Sequence, residues 1–338
     1  MEEFIQYIPV QHLSFSAVRT YLSDARSFKK KYIDHIWDDK TPIAMAEGSA
    51  YHAALEYYWQ KRIDGTLPKD DSQIITDMKA VAINYLEADY DKILWGERRI
   101  AKKDIENYPE SDIVEKKSGN RTNYYVEESP GVLVMALEER LVAYLNDVPE
   151  FLPEMVEDSL VVITKDFNTG EDIPVPMKAR FDLVGRDNDK KLVIIDHKLM
   201  RTAPSRDKDD NYVVEPSWRL QAACYDAMWF AQTGKRPDYF IFDVMPKTGE
   251  AQLHRVRIEI EDRDRIAWSR LLNGAIIQMA LGAAYTDPDV LYLPNPFSGY
   301  DQDGWNDFMQ DIDADLLFEH EEMMTNSAKD AEYEAVDL

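Results

Sequence analysis

The sequence predicts an α/β fold: a mixed central β-sheet flanked by helices, with a helix-rich N-terminal half. Two observations carry this. Through residue 145 the apolar residues recur mainly at helical spacing, and from Ser159 onward they gather into short β-branched or aromatic runs. The later segments read as three strands, a helix, two strands and a helix, an order that packs helices onto a sheet.

Leu13-Ser14-Phe15-Ser16 precedes the first helical run, in which Val18, Tyr21, Leu22, Ala25 and Phe28 recur, with Ser14 or Ser16 as N-cap. Lys29-Lys30-Lys31 continues that helix as a solvated face that could touch phosphate. A second helix is expected from Ala44 to Ile63. It carries His52, with Gly48 and Ser49 on the adjoining turn leaving room for another element. By itself a helical histidine is more often a hydrogen-bonded core residue than a ligand. A third helix is expected from Ser72 to Leu94, with Ile75, Met78, Ala82, Tyr85 and Leu86 on one face, and a fourth from Val132 to Leu145. Between them the pattern breaks from Glu97 to Asn123. There Arg98, Arg99, Lys102, Lys103, Lys116, Lys117 and Arg121 alternate with acids and tyrosines, as in a charged surface connection or a mobile loop beside a nucleic-acid channel.

Ser159 to Thr164 reads as the first strand, and Glu157, upstream of it, as a surface residue outside the candidate site. A hairpin follows, then a polar loop from Met200 to Glu215. An amphipathic helix runs from Ser217 to Gln232 and is stopped by Gly234. Strands are expected at Tyr239–Met245 and Gln252–Ile258, and a helix at Asp262–Leu281. Residues 291–304 read as loop and 305–318 as a short helix. These boundaries make residues 1–318 one domain: a helical part to about 150, a sheet core over about 151–285 and a closing loop and helix over about 286–318. Residues 319–338 form an acidic tail too poor in apolar anchors to fold.

The hairpin holds the densest chemistry. Phe181-Asp182-Leu183-Val184 and Leu192-Val193-Ile194-Ile195 flank Asp187-Asn188-Asp189-Lys190. The second run is apolar throughout, as in a strand buried on both faces, yet it ends in Asp196-His197-Lys198. A three-residue loop, 188–190, sets Asp182 opposite Asp196, and strand alternation puts Lys198 on the Asp196 face. Two facing carboxylates repel unless a cation lies between them, and oxygen ligands suit Mg²⁺ or Mn²⁺. A loop of even length would break the arrangement. Acid-x-Lys alone is weak, since Asp38-Asp39-Lys40, Asp77-Met78-Lys79 and Asp189-Lys190-Lys191 fit it too.

Composition narrows the classes. The 338 residues include one cysteine, Cys224, which leaves no internal disulfide and no cysteine-rich zinc or iron–sulfur site. No run of eighteen apolar residues occurs, and Met-Glu-Glu-Phe lacks the features of a signal peptide, so a soluble cytoplasmic protein is expected. The net charge of −25 argues against a protein that coats DNA nonspecifically. It leaves open a nuclease, whose cleft can be locally basic. Much of the excess is local: from Asp301 onward thirteen acidic residues face one lysine, Lys329. No Gly-x-x-x-x-Gly-Lys-Ser/Thr occurs, so no P-loop motor and no ATP are expected.

Five pieces, in this order, resemble the RecB-like branch of the PD-(D/E)XK nuclease superfamily. They are Leu13-Ser14-Phe15-Ser16 with Tyr21; Gly48-x-x-x-His52-x-x-Leu55-Glu56; Asp182; Asp196-His197-Lys198, matching D-x-K; and Gln221-Ala-Ala-Cys-Tyr225, matching Q-x-x-x-Y. Two departures stand out. Ala179 occupies a position where the family often has glycine, and the four cluster cysteines of many relatives are missing around Asp24-Ala25 and Leu293–Phe297. The resemblance implies a restriction-endonuclease-like core and a stand-alone, metal-dependent DNA nuclease. The first expectation is an exonuclease connected with DNA recombination or repair, with a recombination or replication protein as a candidate partner. A structure-specific endonuclease or nickase is the alternative. Outside catalysis, a nucleic-acid-binding module or an acidic interaction protein stays open.

The resemblance also implies roles. Asp182, Asp196, His52 and the backbone carbonyl of His197 would hold Mg²⁺ or Mn²⁺, the imidazole favouring Mn²⁺. Lys198 would orient or deprotonate the attacking water. Gln221 would hold that water or the scissile phosphate, and Tyr225 would support the strand end or touch the DNA backbone.

Overall fold

The computed structural model describes residue 8 and residues 10–285 other than 101 and 120. The expected loop and helix of 291–318 and the acidic tail of 319–338 lie outside the described residues. The chain divides into two compact units: Met1–Trp37 with Ile173–Pro176 and Arg270–Leu338, and Asp38–Asp172 with Met177–Ser269.

In the first unit, α1 (Phe15–Ser23) is capped by Ser14, whose hydroxyl accepts the Ala17 amide at 3.1 Å. The helix does not run on through the lysines as its periodicity predicts. Asp24, at φ −159°, ends it and starts the short α2 (Ala25–Phe28), its carboxylate accepting the Arg26 and Ser27 amides. A short polar side chain that bonds nearby backbone amides competes with helix continuation. Lys29–Ile33 follows as a π-helical turn. Ala17, Val18, Tyr21 and Phe28 are buried, whereas Leu22 is exposed.

The second unit opens with α3 (Ile43–Ile63) and α4 (Asp71–Ala88). The buried side of α4 is Ile74, Met78, Ala82 and Leu86, a strict four-residue row that leaves Tyr85 outside. The helix stops six residues short of the predicted Leu94, and Ile93–Leu94 pairs in parallel with Thr41–Pro42. Where the sequence predicts a loop, β1 (Glu97–Ile100), β2 (Ile113–Ser118) and β3 (Arg121–Glu127) form an antiparallel sheet in the order β1-β3-β2. Only Ile100 and Val126 of these strands are buried apolar residues, so the alternation that marks a strand is nearly absent. Ion pairs tie the sheet down: Arg98 lies 3.0 Å from Glu47 of α3 and 3.4 Å from Glu128. Next comes α5 (Pro130–Asn146), capped by the Ser129 hydroxyl.

The main sheet contains β4 (Phe151–Val162), β5 (Met177–Asp187), β6 (Leu192–Met200), β7 (Tyr239–Pro246) and β8 (His254–Ile258), in the order β8-β7-β6-β5-β4. Only β6 and β7 are parallel. Such a pair needs a crossover, here through α6 (Pro216–Thr233), which ends at left-handed Gly234. The last described helix is α7 (Asp262–Tyr285). Central β6 is buried from Leu192 to His197. Its register with β5 runs from Arg186↔Leu192 to Leu183↔Ile195, as a three-residue loop dictates. Lys190 takes the left-handed position at φ +62°, and Asp187 accepts the Lys191 amide. Leu183, Val193, Ile195 and Tyr239 join Trp59, Leu137 and Tyr144 in one core, where the Trp59 indole donates to the Tyr144 hydroxyl at 2.7 Å.

Edge strand β4 begins eight residues before the predicted Ser159. Pro153 and a register shift between Pro153 and Met155 interrupt its alternation, as edge strands tolerate. Gly185 of β5 lets β4 lie close: an added Cβ would meet the Leu152 carbonyl oxygen at 2.2 Å and the Phe151 ring at 2.7 Å. Gly185→Ala is therefore expected to destabilise the protein by about 2 kcal/mol, as overpacking does. Urea denaturation checks this, and an unshifted midpoint would contradict the close approach of β4.

Candidate active site

The site forms where the β5–β6 ladder ends. Beyond Leu183↔Ile195 the next pair in register is Asp182 and Asp196. Asp182 Oδ2 there accepts the backbone amide of His197 at 2.8 Å. This bond holds the carboxylate at the mouth of the opening strands. On the other side of β5, Val156↔Leu183 and Asp158↔Phe181 bracket Glu157 and Asp182 at one level. Three adjacent strands thus carry Glu157, Asp182 and Asp196 side by side.

His52 arrives from α3. Its Nδ1 lies 3.4 Å from Asp182 Oδ2 and 3.7 Å from Glu157 Oε1. One ligand atom from each of His52, Glu157 and Asp182 falls within 4.8 Å of the other two. Sequence reasoning left Glu157 out. The missing signal was the early start of β4, which puts Glu157 in register with Asp182. Its backbone is left-handed at φ +48°, uncommon for a residue with a side chain and found preferentially at functional positions.

Asp196 is almost fully buried. Gln221 Nε2 of α6 donates to its Oδ1 at 2.9 Å. Its Oδ2 forms an ion pair with Lys198 Nζ at 2.6 Å and accepts no hydrogen bond from another described residue. One helical turn beyond Gln221, Tyr225 donates to the Arg180 carbonyl at 3.5 Å and packs its ring on Phe181 and Phe240. His197 behaves differently. By alternation its ring takes the face opposite Asp196 and Lys198. It packs edge-on against Tyr144, with Nδ1 4.0 Å from buried Asp243. Burial depresses the His197 pKa strongly, with help from the charges of His52, Arg255 and Lys198, so the ring is neutral. Only the His197 backbone is disposed toward the carboxylates.

The electrostatics favour binding of a cation. Burial and then repulsion by Asp196 push the Asp182 carboxyl up to about 7, against the pull of His52. Burial works against a charged His52, but the Glu157, Asp182 and Asp196 carboxylates outweigh it and raise its pKa. A buried, acceptor-rich cluster of this kind is relieved by a divalent ion. Carboxylate oxygens with one imidazole make a donor set that Mg²⁺ accepts and Mn²⁺ accepts more readily. The residues present therefore fit such an ion.

The sequence profile of the PD-(D/E)XK nuclease superfamily matches residues 12–290. No curated protein sequence matches the chain. Among solved structures, similarity extends to a candidate exonuclease from Eubacterium rectale, at TM-score 0.44 and 13% identity over 81% of this chain and 82% of that one. It also extends to the protein SSO0001, at TM-score 0.25 and 11% identity over 82% and 84%.

Ligation needs the Asp182 carboxylate and a neutral His52, and both bind protons more tightly than usual. Mn²⁺ affinity should therefore weaken about tenfold or more per pH unit below about 7, one proton being displaced for each such group. Calorimetric Mn²⁺ titrations at pH 6 and pH 8 check this. Equal affinities would contradict the assigned cluster.

Proposed function

The chain belongs to the PD-(D/E)XK nuclease superfamily, and from that premise we propose that it is a divalent-metal-dependent deoxyribonuclease of the RecB-like branch, acting as an exonuclease. The observation that carries the metal-dependent reading is the convergence of Glu157, Asp182 and Asp196 from three neighbouring strands beneath His52.

In this reading His52, Glu157, Asp182 and Asp196 would hold the ion. When bound, it supplies Lewis-acid polarisation of a phosphodiester oxygen and a more acidic water. The chain's own residues do the rest. Gln221 fixes the Asp196 rotamer through Oδ1, leaving Oδ2 for the ion. This supports orientation of a carboxylate as its role, in place of the direct hold on water or phosphate that the family resemblance implies. Lys198 Nζ, beside Asp196 Oδ2 and 5.6 Å from the centre of the Phe242 ring, is in position to orient the attacking water. It would also offset charge gathering on the phosphoryl oxygens. Tyr225 stays protonated, its pKa raised first by burial, and braces the β5 backbone at Arg180.

An ammonium cannot ligate a metal. Lys198→Ala should therefore keep Mn²⁺ affinity while cleavage falls about 10²–10⁴-fold, the usual worth of a positioned acid–base or electrostatic group. Asp196→Ala should lose both. His52→Ala and Glu157→Ala should weaken Mn²⁺ binding less, because the other ligands remain. Metal titration is to be run beside cleavage of end-labelled linear and covalently closed circular DNA. Release of nucleotides from linear DNA alone fits an exonuclease, and cutting of closed circles an endonuclease. A Lys198→Ala protein that cuts at the wild-type rate would show the site is placed on the wrong residues.

A further inference from the structure

Two residues beside the triad have no part in the mechanism above. Arg180 precedes Asp182 by two positions on β5, so both side chains leave the same face. Glu56 follows His52 by four positions on α3, so these two also share a face. The pairs lie alongside each other: His52 approaches Asp182 at 3.4 Å, and Arg180 Nη2 approaches Glu56 Oε2 at 3.5 Å. Glu157 spans both. Its Oε1 faces His52 at 3.7 Å, and its Oε2 lies 2.5 Å from Arg180 Nε. The carboxylate is buried at 7% exposure, yet the guanidinium that holds it is 58% exposed, its Nε also donating to the Glu157 backbone carbonyl at 3.4 Å.

Resting on the nuclease reading, we propose that Arg180 is a phosphate-binding subsite for the nucleic-acid strand, held by Glu157 and Glu56 until a divalent ion occupies the triad. An ion on Glu157 Oε1 withdraws negative charge from the same carboxylate that pairs with Arg180. The guanidinium then keeps only its longer contacts, to the Glu157 backbone carbonyl at 3.4 Å and to the half-exposed Glu56 at 3.5 Å. A planar fork of N–H donors so released matches the oxygens of a phosphodiester. Before the ion binds, Glu56 and Glu157 offer an anion two negative charges against one positive. Metal and nucleic acid therefore bind cooperatively, each raising the affinity of the other by the same factor. No bond is made or broken in this step.

The test is Arg180→Gln, with Arg180→Lys as the charge-keeping control and circular dichroism to verify folding. Without nucleic acid, Arg180→Gln should bind Mn²⁺ about threefold to tenfold more tightly, because a competing positive charge is gone. In a Lys198→Ala background saturated with Mn²⁺, the same change should weaken binding of a fluorescein-labelled DNA oligonucleotide about tenfold. It should also lower the salt dependence by about one phosphate contact, while Arg180→Lys keeps that slope. A fall in Mn²⁺ affinity would overturn the proposal and leave Arg180 as a support for Glu157. Unchanged DNA affinity would equally overturn it. A parent protein that binds no DNA with Mn²⁺ overturns the nuclease reading and the subsite together, whereas a parent that binds DNA no better than Arg180→Gln overturns the subsite alone.

Discussion

The hydrogen bond from the His197 amide to Asp182 Oδ2 marks the point on which the site depends. Above it β5 and β6 make an ordinary antiparallel ladder. At it a side-chain oxygen satisfies a backbone amide. A buried amide needs a partner, and supplying one from Asp182 anchors that carboxylate without consuming its second oxygen. The register below determines which residues reach this level. A one-residue slip in the Asp187–Lys191 turn would send Asp196 and Lys198 to the other face. Chemistry at the strand end is thus governed by a turn at the far end of the hairpin.

The same arrangement concentrates negative charge where water is scarce. Nearby cations share the compensation, each incompletely. Lys198 pairs with Asp196 at 2.6 Å, Arg180 holds one oxygen of Glu157, and His52 gains basicity from all three carboxylates. Asp182, with one oxygen held by a single amide, shows the remaining deficit in a carboxyl pushed up to about 7. An ion that met three carboxylates and an imidazole at once would relieve all of these strains together. Behind the strand the buried pair of His197 and Asp243 sits among Tyr51 and Tyr144. Burial chiefly depresses His197 and raises Asp243 to about 7, while Arg255 Nε lies 3.3 Å from Asp243 Oδ1.

What the sequence made legible was local. The hairpin could be read because loop length and alternation over about fifteen residues determine its pairing, and α6 because Gly234 closes it. Gln221 and Tyr225 on that element were legible only through the resemblance to the family's Q-x-x-x-Y motif. Glu157 escaped because its meaning lies in pairing with Asp182, twenty-five residues later, across a strand whose start is disguised by Pro153 and a bulge. The β1–β3 sheet escaped because Arg98 is held by ions on Glu47 and Glu128, so the strand signal that burial of apolar residues provides is missing. Asp24 was read as part of a helix and proved to be the cap that divides it. In each case the deciding partner is distant or polar, and hydrophobic periodicity registers neither.

Crystals soaked in Mn²⁺ and measured at the manganese absorption edge test the central claim most directly. The account predicts an anomalous peak within ligand distance of His52, Glu157, Asp182 and Asp196, with Lys198 outside the coordination shell. A peak bound elsewhere, or no peak in this cluster at saturating Mn²⁺, would contradict it.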